Sequence, residues 1–455
     1  MPELFHLTSL DEARRKLEAA LPEHLLKGRL GIETLSLLRP APLGRSLGRR
    51  SLGEGDLPPL GRSLFTLSST EGPPALSCDA LGRILAEEII CPLDLPPFPR
   101  SIMDGFAVRA QDTFGATEGM PAQLSVIGEV KMGEATSVTV GPAQAVKIPT
   151  GGMLPPGADA VVMIEYTHPF GEETIEVTRS AAPGENLIGV GEDLRKGEVM
   201  LRAGARFRPQ DIGALAGVGV LSVSVHRRPR LGLLSTGNEI VAPEVQPAPG
   251  QIRDINSFAL AAAAEKIGAE VAFFGIVRDE REELRARLAE AFAASDMVVL
   301  SGGTSVGIED LVADCIAELG PPGILVHGLS IKPGKPVIIA VAHGKPVFGL
   351  PGHPASSLLT FDLVVAPLLR KMAHSSEKAR LRLKTLLSRN LPSAPGREDF
   401  YRVRLESRDN QLWALPILGK SALISTLLHA DGLLRIPPER EGLYEGEEVE
   451  VEMFE

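Results

Sequence analysis

Five short strings of small, acidic and basic residues punctuate the apolar runs between residues 230 and 375. They are Ser235-Thr236-Gly237-Asn238-Glu239, Arg278-Asp279-Glu280, Ser301-Gly302-Gly303-Thr304-Ser305-Val306-Gly307, Lys332-Pro333-Gly334-Lys335-Pro336 and Leu350-Pro351-Gly352-His353-Pro354. The third follows a buried apolar run and precedes a helical pattern, a setting in which small residues let backbone N–H groups converge on a phosphate or similar oxyanion. It lacks the Lys-Ser/Thr ending of a P-loop and the spacing of a dinucleotide fingerprint, which argues against an ATPase or a dehydrogenase. An ordinary strand-to-helix turn has the same composition. Lys332 and Lys335 lie in a loop stiffened by Pro333 and Pro336, so two cations lose little freedom on holding a pyrophosphate. A solvated surface turn is the other reading of that pair. Glu239, Asp279 and Asp310 fall at or just after these loops, where carboxylates could hold magnesium against substrate oxygens. Asp310 could instead complement a helix dipole, and Glu239 or Asp279 could be plain surface charges.

Two further turns carry polar groups: Asp104-Gly105 within Pro99-Arg100-Ser101-Ile102-Met103-Asp104-Gly105-Phe106, and Thr150-Gly151-Gly152 after Ile148. Each suits an anion or a metal, and each is also a common tight turn. The nine histidines show no metal-ligand spacing; His353, the one histidine in the loops above, reads as a packed or hydrogen-bonding residue. Cys78, Cys91 and Cys315 are scattered and odd in number, so they read as reduced and structural.

The elements that must position these residues follow from periodicity. Between 230 and 375, apolar runs at 231–234, 270–277, 297–300, 323–331, 336–342 and 346–350 interleave with helical patterns at 257–267, 280–294 and 308–319 and from Ala355. That alternation predicts a doubly wound α/β sheet, whose loops at the carboxyl ends of the strands line one crevice. Upstream, Ser9 to Glu12 forms a capping box ahead of Leu10, Ala13, Leu17 and Leu21 on one helical face. A second helical pattern runs through Leu81, Ile84, Leu85, Ala86 and Ile89 to a stop at Pro92, and a third spans 209–217. Short alternating runs at 123–130, 145–148, 159–166 and 174–178 predict a small β-rich domain, and runs at 400–405, 412–417 and 447–453 predict another.

The expected organisation is a discontinuous N-terminal domain at 1–104 and 186–229, a β-rich domain at 105–185, the α/β domain at 230–376 and a C-terminal β domain at 377–455. Residues 27–74, in which Leu-Gly-Arg-Ser-Leu occurs twice, read as a repetitive linker or mobile insertion. A chain of 455 residues with a net charge of −11 suits several packed domains and disfavours a nucleic-acid surface. Its apolar runs fall far below the roughly 20 residues of a membrane span, and its first residues lack a secretion signal, so the expected place is the cytoplasm.

Taken in order, residues 99–108, 148–165, 191–193, 234–239, 254–257, 301–310, 331–336 and 349–356 resemble the MoeA proteins and the equivalent domain of gephyrin. The likeness covers most of the chain from about Ala75 onward together with the first helix. It implies a molybdopterin-binding α/β domain within a four-domain homodimer, where the crevice of one subunit faces the β-rich domain of the other. It further implies adenylylated molybdopterin and molybdate as substrates, magnesium as cofactor, and molybdenum cofactor and AMP as products. Carried over by motif, the catalytic set is Asp104, Thr150, Asp193, Glu239, Asp279, Asp310, Lys332 and Lys335, with Glu239 and Asp310 as metal ligands. Ser301, Gly302, Gly303, Thr304, Ser305, Gly307, Pro351 and Gly352 would cradle the pterin substrate. Where many relatives have an Arg before the Gly-Glu-Asp string, this chain has Ile188-Gly189-Val190, and the 27–74 segment has no recognised counterpart. Molybdate and tungstate, tetrahedral dianions of nearly equal size, are not separated by these residues. Two competing readings are an adenylyltransferase built on the α/β domain alone, disfavoured by the Asp104 and Thr150 motifs and the C-terminal domain, and a scaffold that keeps the fold without turnover.

Overall fold

A computed structural model of the chain describes residues 7–28, 30–36, 38–39, 75–76, 79–302, 309–375 and 380–454, with 36, 38–39, 75–76 and 309–310 described by backbone alone. Gly303, Thr304, Ser305, Gly307, Cys78 and the repetitive 40–74 stretch lie outside the described residues, as does the side chain of Asp310. Two compact units emerge, one of Met1–Leu35, Gly82–Ile84 and Ser224–Glu455, the other of Ser36–Leu81 and Leu85–Val223.

The first unit contains the α/β sheet, in the order Glu270–Val277, Arg230–Thr236, Met297–Ser301, Lys345–Leu350, Ile338–Ala342 and Pro322–His327. The first four strands run parallel, and Ile338–Ala342 runs antiparallel to both of its neighbours. The reversal comes from His343-Gly344, two positive-φ residues between Ala342 and Lys345 that make a tight hairpin matching the twist of its strands. Successive strand residues face opposite sides. Leu231, Leu233, Met297 and Val299 pack with Leu260, Ala264 and Ile267 of the helix Asn256–Ile267. Leu234, Val298 and Leu300 pack with Leu284 and Leu288 of Arg281–Ala294 and with Val312 and Cys315 of Glu309–Ala317. Sheet residues buried on both faces explain the near-continuous apolar runs in the sequence. Cys315 is a free thiol, pushed up from its ordinary pKa by burial, which fits a structural residue.

The first helix, Leu10–Ala20, is capped by Ser9, whose Oγ accepts from the Glu12 N–H at 3.3 Å. Its buried Leu10, Ala13 and Leu17 join the core beneath the α/β sheet rather than an N-terminal domain.

The C-terminal part of the same unit orders its strands Ile331–Lys332, Glu398–Arg408, Gln411–Pro416, Arg382–Leu387, Glu448–Met453 and Gly432–Ile436. Gly432–Ile436 pairs back onto Glu398–Arg408, closing a small barrel over Leu387, Val403, Ala414, Leu434 and Val451. Two of these strands, Arg382–Leu387 and Gly432–Ile436, go beyond the three expected from alternation.

In the second unit, a six-stranded sheet runs Thr167–Pro169, Thr174–Val177, Ala122–Glu129, Gln144–Ile148, Gly105–Val108 and Ala160–Met163. The helix expected at 209–217 forms as Pro209–Gly217. The helix expected through Leu81 to Ile89 does not form. Leu85 instead exchanges backbone hydrogen bonds with Gly204 and Ala205, and Ile89–Ile90 pairs antiparallel with Val199–Leu201. Apolar residues at helical spacing are there serving bridges to distant chain, so tertiary pairing overrides the local pattern.

Candidate functional site

At the carboxyl ends of the α/β strands, three loops meet around Gly302. Its backbone lies at φ +107°, and a Cβ there would stand 2.1 Å from the Thr236 carbonyl oxygen. The Gly302 N–H donates to the Leu350 carbonyl at 3.2 Å, and a Cβ on Gly352 would lie 3.6 Å from the Gly302 Cα, an ordinary contact. Only a residue without a side chain permits the approach of Gly302 to Thr236.

A buried strip of polar side chains fixes these loops from below. Asn256, at the start of its helix, donates through Nδ2 to Ser301 Oγ and to the Gly352 carbonyl, each at 2.8 Å. Ser235 Oγ donates to Asp254 Oδ2 at 2.9 Å and lies 2.7 Å from Ser257 Oγ, while the Ser257 N–H donates to Asp254 Oδ1 at 3.0 Å. All of these groups are buried and paired, so the strip holds the loops in one arrangement. From the sequence, Asp254 and Asn256 are read only as part of a matching string; the signal for a positioning role was a run of polar residues opening a helix whose other face is apolar.

Asp279 serves as a clasp between neighbouring loops. Its Oδ1 accepts from Thr236 Oγ1 at 2.8 Å and its Oδ2 from the Asn238 N–H at 3.3 Å, while Asn238 Oδ1 accepts from the Asp279 N–H at 3.3 Å. Glu239 is exposed and folds over Gly237, where a Cβ would stand 2.9 Å from its Oε2. Lys332 and Lys335 are also exposed. Between them Gly334, at φ +106°, leaves room for Thr360 Cγ2, which a Cβ would approach to 2.6 Å. The lysine loop is thus seated on the helix Pro354–Thr360, which begins directly after His353. His353 Nδ1 lies 3.0 Å from Ser421 Oγ, and the Ala355 N–H donates to the Ser421 carbonyl, so the C-terminal barrel also holds the loop of Pro351 and Gly352. Asp310 falls in the first turn of Glu309–Ala317. Among the described residues, no three carboxylate, histidine or cysteine side chains gather into a cation site.

The second unit brings Asp104 and Thr150 into direct contact. Asp104 Oδ1 accepts from the Thr150 N–H at 2.7 Å and from its Oγ1 at 3.1 Å. Two turns that are weak signals singly therefore form one. The Asp104 carboxyl is held below its ordinary value, chiefly by the Thr150 N–H and then by the hydroxyl. Stabilisation from this pair is present above the ordinary aspartate range and is lost as pH falls through the lowered value. Replacing Thr150 by Val removes the smaller cause and keeps the larger. Asp104 in that variant should titrate higher than in the parent yet still below the ordinary aspartate value, as followed by carboxyl NMR. Asp193 is exposed, and its N–H donates to the Leu95 carbonyl at 3.1 Å. Leu187–Ile188 pairs antiparallel with Arg100–Ser101, so the Gly191-Glu192-Asp193 string that follows runs back beside Leu95 and Pro96, away from the Asp104 turn.

Comparison with known proteins agrees with these features. Residues 8–219 match the MoeA N-terminal region (domains I and II), 232–371 a probable molybdopterin binding domain and 384–454 the MoeA C-terminal region (domain IV). A putative molybdopterin biosynthesis protein from Methanocaldococcus jannaschii is 35% identical over 381 residues, spanning 82% of this chain and 90% of that one. A molybdopterin molybdenumtransferase from Bacillus subtilis is 33% identical over 377 residues, 82% of this chain and 87% of its own. A crystal structure of a molybdopterin biosynthesis MoeA protein from Pyrococcus horikoshii superposes with a TM-score of 0.76 at 36% identity, covering 99% of both chains. With the loops joined at Gly302 and the Asp104–Thr150 pair both lying inside the matched regions, the chain belongs to the MoeA family.

Proposed function

We propose that this protein is a molybdopterin molybdenumtransferase that inserts molybdate into adenylylated molybdopterin, giving molybdenum cofactor and AMP. The names of its curated relatives support the transferase reading. The observation that carries it is the meeting of loops from three parallel strands at Gly302, fixed by Asn256 and Asp279 at the end of the sheet where such folds bind their ligands. A dithiolate, an oxoanion and a phosphate repel one another. Lys332 and Lys335 lower that repulsion by holding phosphate or oxoanion oxygens. In this reading Pro351 and Gly352 shape the floor against which the pterin rests.

The donor set suits magnesium. Glu239 offers an exposed carboxylate with no ion pair or side-chain hydrogen bond among the described residues, and Asp310 is a second hard-oxygen residue. Magnesium commonly takes one or two carboxylates and fills its shell from phosphate and water. When bound it would supply divalent charge to the phosphate oxygens. Tungstate, equal in charge and shape, would compete with molybdate. The decisive measurement mixes the purified protein with adenylylated molybdopterin, magnesium and either oxoanion and follows AMP; no release with either one would end this reading.

The same proposal makes the protein a cytoplasmic homodimer in which the partner subunit contributes Asp104 and Thr150 to the crevice. The four-part division at 1–104 with 186–229, 105–185, 230–376 and 377–455 belongs to it, with the first helix moved to the α/β part. Inactive Asp104→Ala and Lys332→Ala proteins, mixed under conditions that exchange subunits, should recover about a quarter of the parental activity, since half the dimers then carry one intact site of two. Recovery would be absent if each crevice were built from a single chain.

A further inference from the structure

Four arginine side chains border one cavity far from the crevice. Arg83, Arg227, Arg228 and Arg230 line it together with Glu33 and Glu270, around a volume of about 270 Å³. Four guanidinium groups against the two lining carboxylates and Asp296, which pairs with Arg227, leave a surplus of one positive charge, in a chain whose net charge is −11. Arg230 opens the strand that ends at Thr236, so the cavity and the crevice lie at opposite ends of the same strand, roughly 20 Å apart at about 3.3 Å per residue.

The four cations are not equivalent. Arg83 is buried, ion-paired with Glu33, and donates to the His226 carbonyl at 2.9 Å. Arg227 pairs with Asp296 at 3.0 Å and donates to the Leu30 carbonyl at 3.2 Å. Both are committed to the fold. Arg230 reaches Glu270 only at 3.7 Å, with its side chain more than half exposed, a geometry worth little as an ion pair. Arg228 has neither an ion pair nor a side-chain hydrogen bond among the described residues. Yet the backbone carrying these two is fixed. The Arg230 N–H donates to Asp296 Oδ2 at 2.8 Å, and the carbonyl of the buried Pro229 between them accepts from the Glu270 N–H at 2.9 Å. Two uncommitted guanidinium groups on a rigid turn, backed by two fixed ones, repel each other until an anion arrives.

We propose that this cavity is a second anion site, which takes a phosphate-type oxodianion either free or as the phosphate of a small monoester. Planar guanidinium forks match the oxygens of such a group two at a time. The space is large enough for an oxoanion with ordered waters around it. The inference stands apart from the proposed reaction, because it uses none of the crevice residues.

Calorimetric titration of the full chain at low salt tests it, with inorganic phosphate, molybdate and AMP as probes. Lys332→Ala serves as the background, so that binding at the crevice is reduced without touching the cavity. On that background phosphate should still bind, and adding Arg228→Ala with Arg230→Ala should weaken it tenfold or more. Arg228→Ala alone, at a position with no protein partner to lose, should weaken it about threefold with an unchanged unfolding midpoint, which keeps the test valid if the double change disturbs folding. Arg228→Lys should restore only part of the loss. AMP binding more tightly than phosphate would identify a monoester as the ligand, and equal binding of phosphate and molybdate would identify the free anion. Equal phosphate affinity with and without the two arginines, or no phosphate binding on the Lys332→Ala background, would overturn the proposal.

Discussion

Lys332→Ala should lower AMP release by about 100- to 1,000-fold, the loss seen when one preorganised charge is removed from developing negative charge, while the protein remains folded. Lys332 is exposed at the end of Ile331–Lys332, so its removal leaves no cavity and strands no buried partner. Its ammonium group stands in a loop held by Gly334 against Thr360, and little reorganisation is needed when an anion binds. Arg at 332 keeps the charge but moves it outward on a planar fork, and should recover only part of the rate. Steady-state kinetics with a thermal melt on the same samples checks both statements. Full activity in Lys332→Ala would remove this residue from the mechanism and leave the family fold untouched.

Gly302→Ala should instead damage the fold of the site. A methyl group would stand 2.1 Å from the Thr236 carbonyl oxygen, in a backbone conformation of φ +107° that L-residues avoid. Relief requires moving either the strand Arg230–Thr236 or the end of the strand Met297–Ser301, both fixed by buried neighbours. A loss of about 3 kcal/mol or more is expected, which corresponds to a fall in melting temperature of roughly 6–12 °C for a domain of this size. Gly352→Ala is the matched comparison: its Cβ would meet only the Gly302 Cα at 3.6 Å, an ordinary contact, so its melt should shift far less. Equal midpoints for Gly302→Ala and the parent would show that the loops do not converge as described.

The parts of this structure that were legible in advance share a physical cause. Strands such as Met297–Ser301 and Ile338–Ala342 are buried on both faces, so their sequences are unbroken apolar runs that interleave with helices. The loops between them inherit their place from the sheet, which is why Gly302, Gly352 and Asp279 can be grouped before any coordinates are known. Barrel strands are harder to read. Arg382–Leu387 has Arg382 and Lys384 on its exposed positions and only Thr385 and Leu387 fully buried, too thin a pattern to separate from a loop. Ile84 and Leu85 mislead because adjacent buried residues with long-range bridges mimic a helical stripe. The polar strip of Ser235, Asp254, Asn256 and Ser257 was legible only as composition, since nothing local says which serine an amide will reach. The pairing of Asp104 with Thr150 joins residues 46 positions apart, and it follows from the antiparallel register of Gly105–Val108 with Gln144–Ile148 rather than from either turn.

The two-residue strand Ile331–Lys332 has no sheet partner among the described residues except the barrel, against Glu398 and Asp399, and the barrel reaches the opposite loop again through Ser421 and His353. The C-terminal module therefore works like the arm of a vernier: a slip of one register at Glu398 would carry the lysine ammonium groups along by the length of a residue. Alterations deep inside that module, remote from any reactant, are thereby transmitted to the spacing of the charges that grip it.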